Sequence, residues 1–539
     1  MRFQTILKPE HAKRYVAEGH WTNETFFALL EQRARSHPDR EVFCDAYRRI
    51  TYSELKQRVE QCAELLRRIG VRRGDVVTIQ LPNRIEFPII FFALELIGAI
   101  ANKVNPDFRI RELEYILRFS ESRAFVCPKE FKGFDYAHMA KQLKSSVPRL
   151  EHIIVVGGAM EGAWDFEEVA KQSSIAASDR VPIDPNDIFR MAFTSGTTGD
   201  PKCVLHSFNT TLGTVRLLNA DMQVTEKDVL LIYLPIGLNW GYISLLQTII
   251  AGARAVLLER FSARAALEAI QRERVTYIPT APASIVSMLN EPSLASFDVS
   301  SLRVVITGGA SAAIETIREY QQRMSGHLIE LYGMLETGFH TYTRFSDDPQ
   351  KVNGTIGRVA GPMGLRLLDD EGNDVPRGEV GEIAALGPSV HLGYHNNPQA
   401  NADSFTPDGW FRTGDLAKFV DEAGNVQIVG RRKEIINRGG KKFFPREVEE
   451  VLYTHPKIMH AAMVGIADAR LGERNCLCVI PKTGHHLQLQ EIVDFLKGEV
   501  ADYKLPEMLI EVDELPLTGT GKVRRHVLRE QMEKQLGRS

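Results

Sequence analysis

Ten consecutive residues, Thr194-Ser195-Gly196-Thr197-Thr198-Gly199-Asp200-Pro201-Lys202-Cys203, gather hydroxyls and glycines ahead of one lysine. Glycines let a backbone curl until successive N–H groups point inward, and such a concavity takes up anions. The hydroxyls of Ser195, Thr197 and Thr198 add donors, and Lys202 adds a positive charge. The chemistry on offer is the wrapping of a phosphate or another oxyanion. The run is not a Walker A loop, because G-x-x-x-x-G-K-[ST] does not occur in the chain. Alone it also reads as a plain surface loop. What separates the two readings is the set of motifs that follows it.

In chain order these are Thr307-Gly308-Gly309-Ala310, Tyr332-Gly333-Met334-Leu335-Glu336 and Trp410-Phe411-Arg412-Thr413-Gly414-Asp415-Leu416. Then come Gly430-Arg431-Arg432-Lys433-Glu434 and Leu515-Pro516-Leu517-Thr518-Gly519-Thr520-Gly521-Lys522. The first two directly follow short apolar runs, Val304–Ile306 and Leu328–Leu331. Glycine-rich turns after buried strands are where α/β proteins place ligands.

The elements that must position these motifs are legible as period and punctuation. Thr51-Tyr52-Ser53-Glu54 is a capping box, followed by Leu55, Val59, Cys62 and Leu66 at helical spacing until Gly70. A strand is predicted over Asp75 to Leu81, and the apolar stretch Phe87 to Ala101 reads as a buried helix. Further runs recur between helical stretches: Ala124–Cys127, Ile153–Val156, Val229–Tyr233, Ala253–Leu258 and Val275–Ile278. This alternation predicts βαβ units around parallel sheets. After about residue 350, Asp369–Asn373 and Asp421–Asn425 read as hairpin turns of an antiparallel subdomain. The remainder, to Ser539, has the size of a small α+β domain.

Bulk properties narrow the function classes. A chain of 539 residues exceeds one core and predicts about two to four domains. A net charge of −3 gives no field for steering a polyanion, which argues against nucleic-acid binding. Six scattered cysteines form no zinc pattern and suit a reducing compartment. The N-terminal residues lack a signal-peptide pattern, and the most apolar stretch is shorter than a membrane span and carries Glu95. The expected localisation is cytoplasmic. The oligomeric state stays open, a homodimer included.

The ordered motifs resemble the acyl-adenylate-forming superfamily: acyl- and aryl-CoA ligases, peptide-synthetase adenylation domains and beetle luciferases. The resemblance covers about residues 25 to 530, and Gly393-Tyr394-His395-Asn396-Asn397-Pro398 also matches. It implies a large N-terminal domain, 1–432, and a mobile C-terminal lid, 433–539, hinged near Lys433. It implies ATP, Mg²⁺ and coenzyme A as cosubstrates and cofactor, with a small carboxylic acid as the other partner. In this likeness Thr194, Ser195, Gly196, Thr197, Thr198, Gly199 and Lys202 cradle the triphosphate, and Glu336 is the metal ligand. Tyr332 stacks on adenine, with Gly308, Gly309, Ala310 and Gly333 letting the backbone approach. Asp415 takes the ribose hydroxyls with Arg431 nearby, and Lys522 stabilises charge between carboxylate and α-phosphate. Gly439 and Gly440 line the thiol tunnel after the lid turns, and Arg438, Lys441 and Lys442 are candidates for CoA phosphates.

The substrate pocket implied by the likeness is built from Leu238, Asn239, Trp240, Gly308, Met334 and Leu335. Three departures stand out: Leu335 where the family usually has Thr, Leu238 where it has His or an aromatic, and Cys203 where it has Gly. Asn239 matches the residue that meets a ring hydroxyl in aryl-acid activators, and it reads equally as a helix cap before Trp240. Segments such as Phe108–Leu113 and Cys127–Asp135 look like bacterial alicyclic and short- to medium-chain acyl-CoA ligases. The expected activity is AMP-forming ligation of a compact hydrophobic acid to coenzyme A. The alternatives are an aryl-acid adenylating enzyme that loads a carrier protein, and a nucleotide-binding homologue with impaired adenylation.

Overall fold

The computed structural model describes residues 3–194, 201–309, 312–468, 470–517 and 523–536, apart from the side chains of Gln350 and Lys351. Two large sheets dominate the N-terminal part. The first has the strand order Arg358–Val359, Gly338–Tyr342, His327–Met334, Val304–Gly308, Tyr277–Thr280, Val229–Ile232, Arg254–Leu257, Glu41–Cys44, Arg49–Thr51. The second runs Cys203–Ser207, Ile188–Phe193, Ile100–Lys103, Val76–Ile79, Ser122–Pro128, His152–Val156, Trp164–Asp165. Central strands such as Tyr277–Thr280, Val304–Gly308, Val76–Ile79 and Ile100–Lys103 are parallel and buried, which is why such strands read as largely apolar runs.

A four-stranded antiparallel sheet, Gly364–Leu368, Gly381–Leu386, Phe411–Phe419 and Val426–Arg431, follows where the Gly/Asp-rich turns begin. A last sheet joins Lys441–Phe443, Ile436–Arg438, Gly472–Pro481 and Ile458–Asp468, with Met508–Glu511 added in parallel. Its own apolar cluster, including Ile436, Val448, Leu477 and Ile492, is separate from the main core. The α/β architecture, with an antiparallel subdomain and a small α+β C-terminal part, is as the residue patterns predict.

Two local outcomes matter for the site. The capping box forms as expected: Thr51 Oγ1 accepts from Glu54 N–H, and Glu54 returns the bond to Thr51 N–H. The apolar stretch Phe87 to Ala101 is not one helix. The helix ends at Leu96, Gly98 turns at φ +67°, and Ile100–Lys103 forms a strand. The left-handed turn, which only glycine adopts without strain, breaks a run that hydrophobicity alone leaves continuous. All six cysteines are buried and free, Cys476 and Cys478 among them. No helix among the described residues is long and apolar enough to cross a membrane.

Candidate active site

The oxyanion loop is pinned at its base. Thr194 N–H donates to the Lys202 carbonyl at 2.9 Å, and Lys202 N–H returns to Thr194 Oγ1 at 3.2 Å. These bonds hold together the ends of the adjacent antiparallel strands Ile188–Phe193 and Cys203–Ser207. Ser195, Gly196, Thr197, Thr198 and Gly199 lie outside the described residues, as do Ala310 and Lys522.

Lys202 reaches the cleft over the ring of Tyr394, its Nζ 4.6 Å from the centroid. The Tyr394 hydroxyl donates to Glu336 Oε1 at 3.1 Å. One aromatic ring thus carries the lysine on its face and the carboxylate at its edge. Glu336 sits in the turn between His327–Met334 and Gly338–Tyr342, and is 5% exposed. Burial pushes its carboxyl above the usual range, opposed by the Tyr394 bond and by the charges of Arg431 and Lys202. Lys202 is lowered, first by desolvation and then by repulsion from Lys433. A buried carboxylate with few donors can take a hard cation that keeps other oxygen ligands. Among the described residues no cluster of three or more His, Cys, Asp or Glu forms a metal cage. Glu336 therefore fits Mg²⁺ held by one protein carboxylate together with phosphate oxygens and water.

Asp415 organises the next part of the cleft. Its Oδ1 accepts from Arg431 Nε at 2.7 Å, and its Oδ2 from the Tyr332 hydroxyl at 2.8 Å. The pair bridges two neighbouring strands, in which Asp415 and Arg431 are direct partners. The guanidinium is driven above its ordinary range, chiefly by Asp415. Tyr332 follows from the end of its buried strand, and a Cβ on Gly333 would collide with the Gly338 carbonyl. Gly309 turns at φ +82°, a left-handed conformation that favours glycine.

The segment from Leu234 to Gly241, where the sequence likeness expects the acyl pocket, leads into the helix Asn239–Ala251. Leu238 is the N-cap of the helix Asn239–Ala251 and makes no side-chain cap bond. Asn239 is therefore not the helix cap; its Oδ1 accepts from Arg190 Nη1 at 2.6 Å. Trp240 packs edge-on to Phe339 at 5.8 Å, and a Cβ on Gly308 would collide with the Leu331 carbonyl and then press on the Trp240 indole. Met334 and Leu335, both half-buried, pack against Val204, Tyr394, Ala400 and Phe411. The Leu335 carbonyl accepts from His206 Nε2 at 2.8 Å.

On the C-terminal side, Gly439 and Gly440 form an exposed hairpin tip at φ +59° and +82°. A Cβ on Gly440 would meet nothing within 4 Å, so positive φ, rather than crowding, calls for glycine in this arrangement. Arg438 is engaged by a two-pronged bond to Glu507, both arms 3.0 Å, which leaves Lys441 and Lys442 as the exposed cations of that hairpin.

Three residues of the cleft carry roles that the motifs did not assign: Tyr394, Arg190 and Lys103. Tyr394 lies in a quoted motif without a role. The signal for the others was a lone charge inside an apolar strand, in Ile188-Phe189-Arg190-Met191 and Ile100-Ala101-Asn102-Lys103.

The chain belongs to the AMP-binding enzyme family, whose pattern matches residues 30–395, with the family's C-terminal domain at 447–522. It is an adenylate-forming ligase in fold and motif. Among similar proteins is the medium-chain fatty-acid–CoA ligase of Escherichia coli K12, 31% identical over 543 residues, covering 99% of this chain and 95% of that one. The 2,3-dihydroxybenzoate-AMP ligase of Bacillus subtilis is 33% identical, covering 98% and 97%. Among solved structures, the anthranilate CoA ligase AuaEII with anthranoyl-AMP superposes at a TM-score of 0.88 and 26% identity, covering 96% of this chain and 98% of that one.

Proposed function

We propose that this protein is an AMP-forming carboxylate–CoA ligase, an acid–thiol ligase acting on a compact carboxylic acid with ATP, Mg²⁺ and coenzyme A. The observation that carries it is the convergence of Lys202, Tyr394 and Glu336 with Tyr332, Asp415 and Arg431 along one cleft. The loop Thr194–Lys202 binds the phosphates, Asp415 accepts from the ribose hydroxyls, and Tyr332 faces the base. Glu336 holds Mg²⁺, which neutralises charge on the phosphates when bound. A substrate carboxylate oxygen bonds to the α-phosphorus, and the bond to the bridging oxygen breaks as pyrophosphate leaves. Lys522 stabilises the negative charge on the transferring group. The thiolate then attacks the acyl carbon and AMP departs with the bonding electrons.

The division at 1–432 and 433–539, with a pivot at Lys433, is supported by how its flanks are tied. Arg431 is held to Asp415 on one side, and Glu434 is held by Arg525 on the other at 3.0 Å. Arg525 also grips Glu449 within the C-terminal part, at 2.7 and 2.9 Å. Rotation between these clamps would remove Lys522 and bring Gly439 and Gly440 to the acyl-adenylate. The relatives include acyl-CoA and aryl-AMP ligases, so a carrier protein is the alternative acceptor. Purified protein given a compact acid, ATP, Mg²⁺ and coenzyme A should yield AMP, pyrophosphate and acyl-CoA. Release of ADP and phosphate would refute the mechanism, and AMP release that needs a carrier domain would favour the alternative.

A further inference from the structure

Against the segment Gly237–Asn239, which the ligase reading places at the acyl pocket, stand two buried cations with no carboxylate partner among the described residues. Arg190 and Lys103 are each 2% exposed. They stand on adjacent parallel strands whose ladder pairs Arg190 with Ala101 and Ala192 with Lys103, so both project from one face of the sheet. The Tyr242 ring lies against both, with the Arg190 guanidinium carbon 4.9 Å and the Lys103 ammonium 5.0 Å from its centroid. Lys103 Nζ has a weak bond to the Gly237 carbonyl at 3.4 Å, and Arg190 Nη1 donates to Asn239. Arg190 Nε is buried without a partner, as is the neighbouring Trp240 Nε1.

Among the described residues neither cation has a carboxylate within 4.0 Å. The acid of this region, Glu95, turns its Oε2 to Phe27 N–H at 2.9 Å. His206, the ladder partner of Arg190, adds no further positive charge, because burial disfavours its protonated form. Burial also lowers both cations, Arg190 to about 10, and each is given no acid to offset it. A buried ion costs several kcal/mol unless it is paired, so a purely structural pair of this kind would be unfavourable.

The arrangement has a direction. Arg190 can only donate, so the Asn239 oxygen is committed to it and what remains of the Asn239 amide is its N–H₂ donor. Guanidinium, ammonium and amide are all donors, and all border the segment Gly237–Trp240. A donor-only pocket of net positive charge is complementary to an oxygen anion. Resting on the ligase reading above, we propose that the acid this protein activates carries a second anionic group, a carboxylate distal to the one adenylated, received by Arg190, Lys103 and Asn239. The apolar walls of Leu238, Trp240, Met334 and Leu335 would then hold the scaffold between the two carboxylates.

The test is equilibrium binding by calorimetry in the presence of a non-hydrolysable ATP analogue, so that no turnover is needed. The probes are cyclohexane-1,3- and 1,4-dicarboxylate, cyclohexanecarboxylate and 4-hydroxycyclohexanecarboxylate. One diacid should bind the wild type at least tenfold more tightly than the monoacid, and Arg190→Met and Lys103→Met should each reduce it to the monoacid's affinity. Arg190→Lys, which keeps the charge and is the milder change for folding, should retain part of the preference. Diacids binding no better than the monoacid would overturn the proposal. So would a hydroxy acid matching the better diacid, since a neutral acceptor would then suffice, or a preference unmoved by the Arg190 and Lys103 substitutions. Ligase failure shows separately, as absence of AMP formation with every acid despite binding.

Discussion

The two halves of the cleft balance charge in opposite ways. On the nucleotide side, among the described residues, Asp415 is paired with Arg431 and bonded by Tyr332, while Glu336 is bonded to Tyr394, whose ring also carries Lys202. On the acyl side Arg190 and Lys103 are buried with only neutral partners. The Asp415–Arg431 pair is held in place by its own counter-charge. The acyl half is left with a polarity that its occupant must answer. Common chemistry is thus set by pairs internal to the protein, and individual specificity by charges left unpaired.

The largest expected effect breaks the nucleotide half alone. Lys522→Ala should slow adenylation roughly 10²–10³-fold, in the range of one lost oxyanion donor, yet still convert synthetic acyl-adenylate to acyl-CoA. Gly440→Leu should do the reverse, keeping pyrophosphate exchange and losing thiol transfer. Proportional loss of both half-reactions in both folded variants would contradict an alternating lid. A smaller effect sharpens the pairing of Glu336. Its carboxyl is raised by burial, so the working carboxylate is lost as pH falls through that raised value. Tyr394→Phe removes a bond that favours the charged form, and should move the acidic limb of the adenylation profile upward by about one pH unit. An unmoved limb would detach the profile from Glu336.

A separate effect is on stability, through the buried Glu95. Burial raises Glu95 to about 7 from its ordinary 4.5. The folded state then binds more protons than the unfolded one between these values, so stability is greatest below about 4.5 and declines as pH rises through 7, by roughly 3 kcal/mol at most. Glu95→Gln keeps an acceptor for Phe27 N–H and removes the penalty. Its melting temperature should exceed the wild type's at pH 8 and match it at pH 5. Equal shifts at both values would assign the change to packing instead.

What was legible in the sequence followed the range of each interaction. Capping at Thr51 and Glu54 is local, and parallel strands buried on both faces read as apolar runs. The motifs around Tyr332, Glu336 and Asp415 could be found because a motif needs only its neighbours in the chain. The bond from Arg190 to Asn239 spans 49 residues, and that from Tyr394 to Glu336 spans 58. No periodicity links such pairs, so the sequence alone reads Asn239 equally as a ring-hydroxyl contact and as a helix cap, and gives Tyr394 no role. The run from Phe87 to Ala101 misled because hydrophobicity reports burial, and both a helix and a strand are buried there.

The burial of all six cysteines has a practical side. Protected thiols react slowly with maleimides, so the natural chain is already a quiet background for labelling. A cysteine in place of exposed Lys442, beside the Gly439–Gly440 tip and free of the positive φ at those glycines, would be the one fast-reacting thiol. An environment-sensitive dye there would report in real time whether the C-terminal part turns when acyl-adenylate forms.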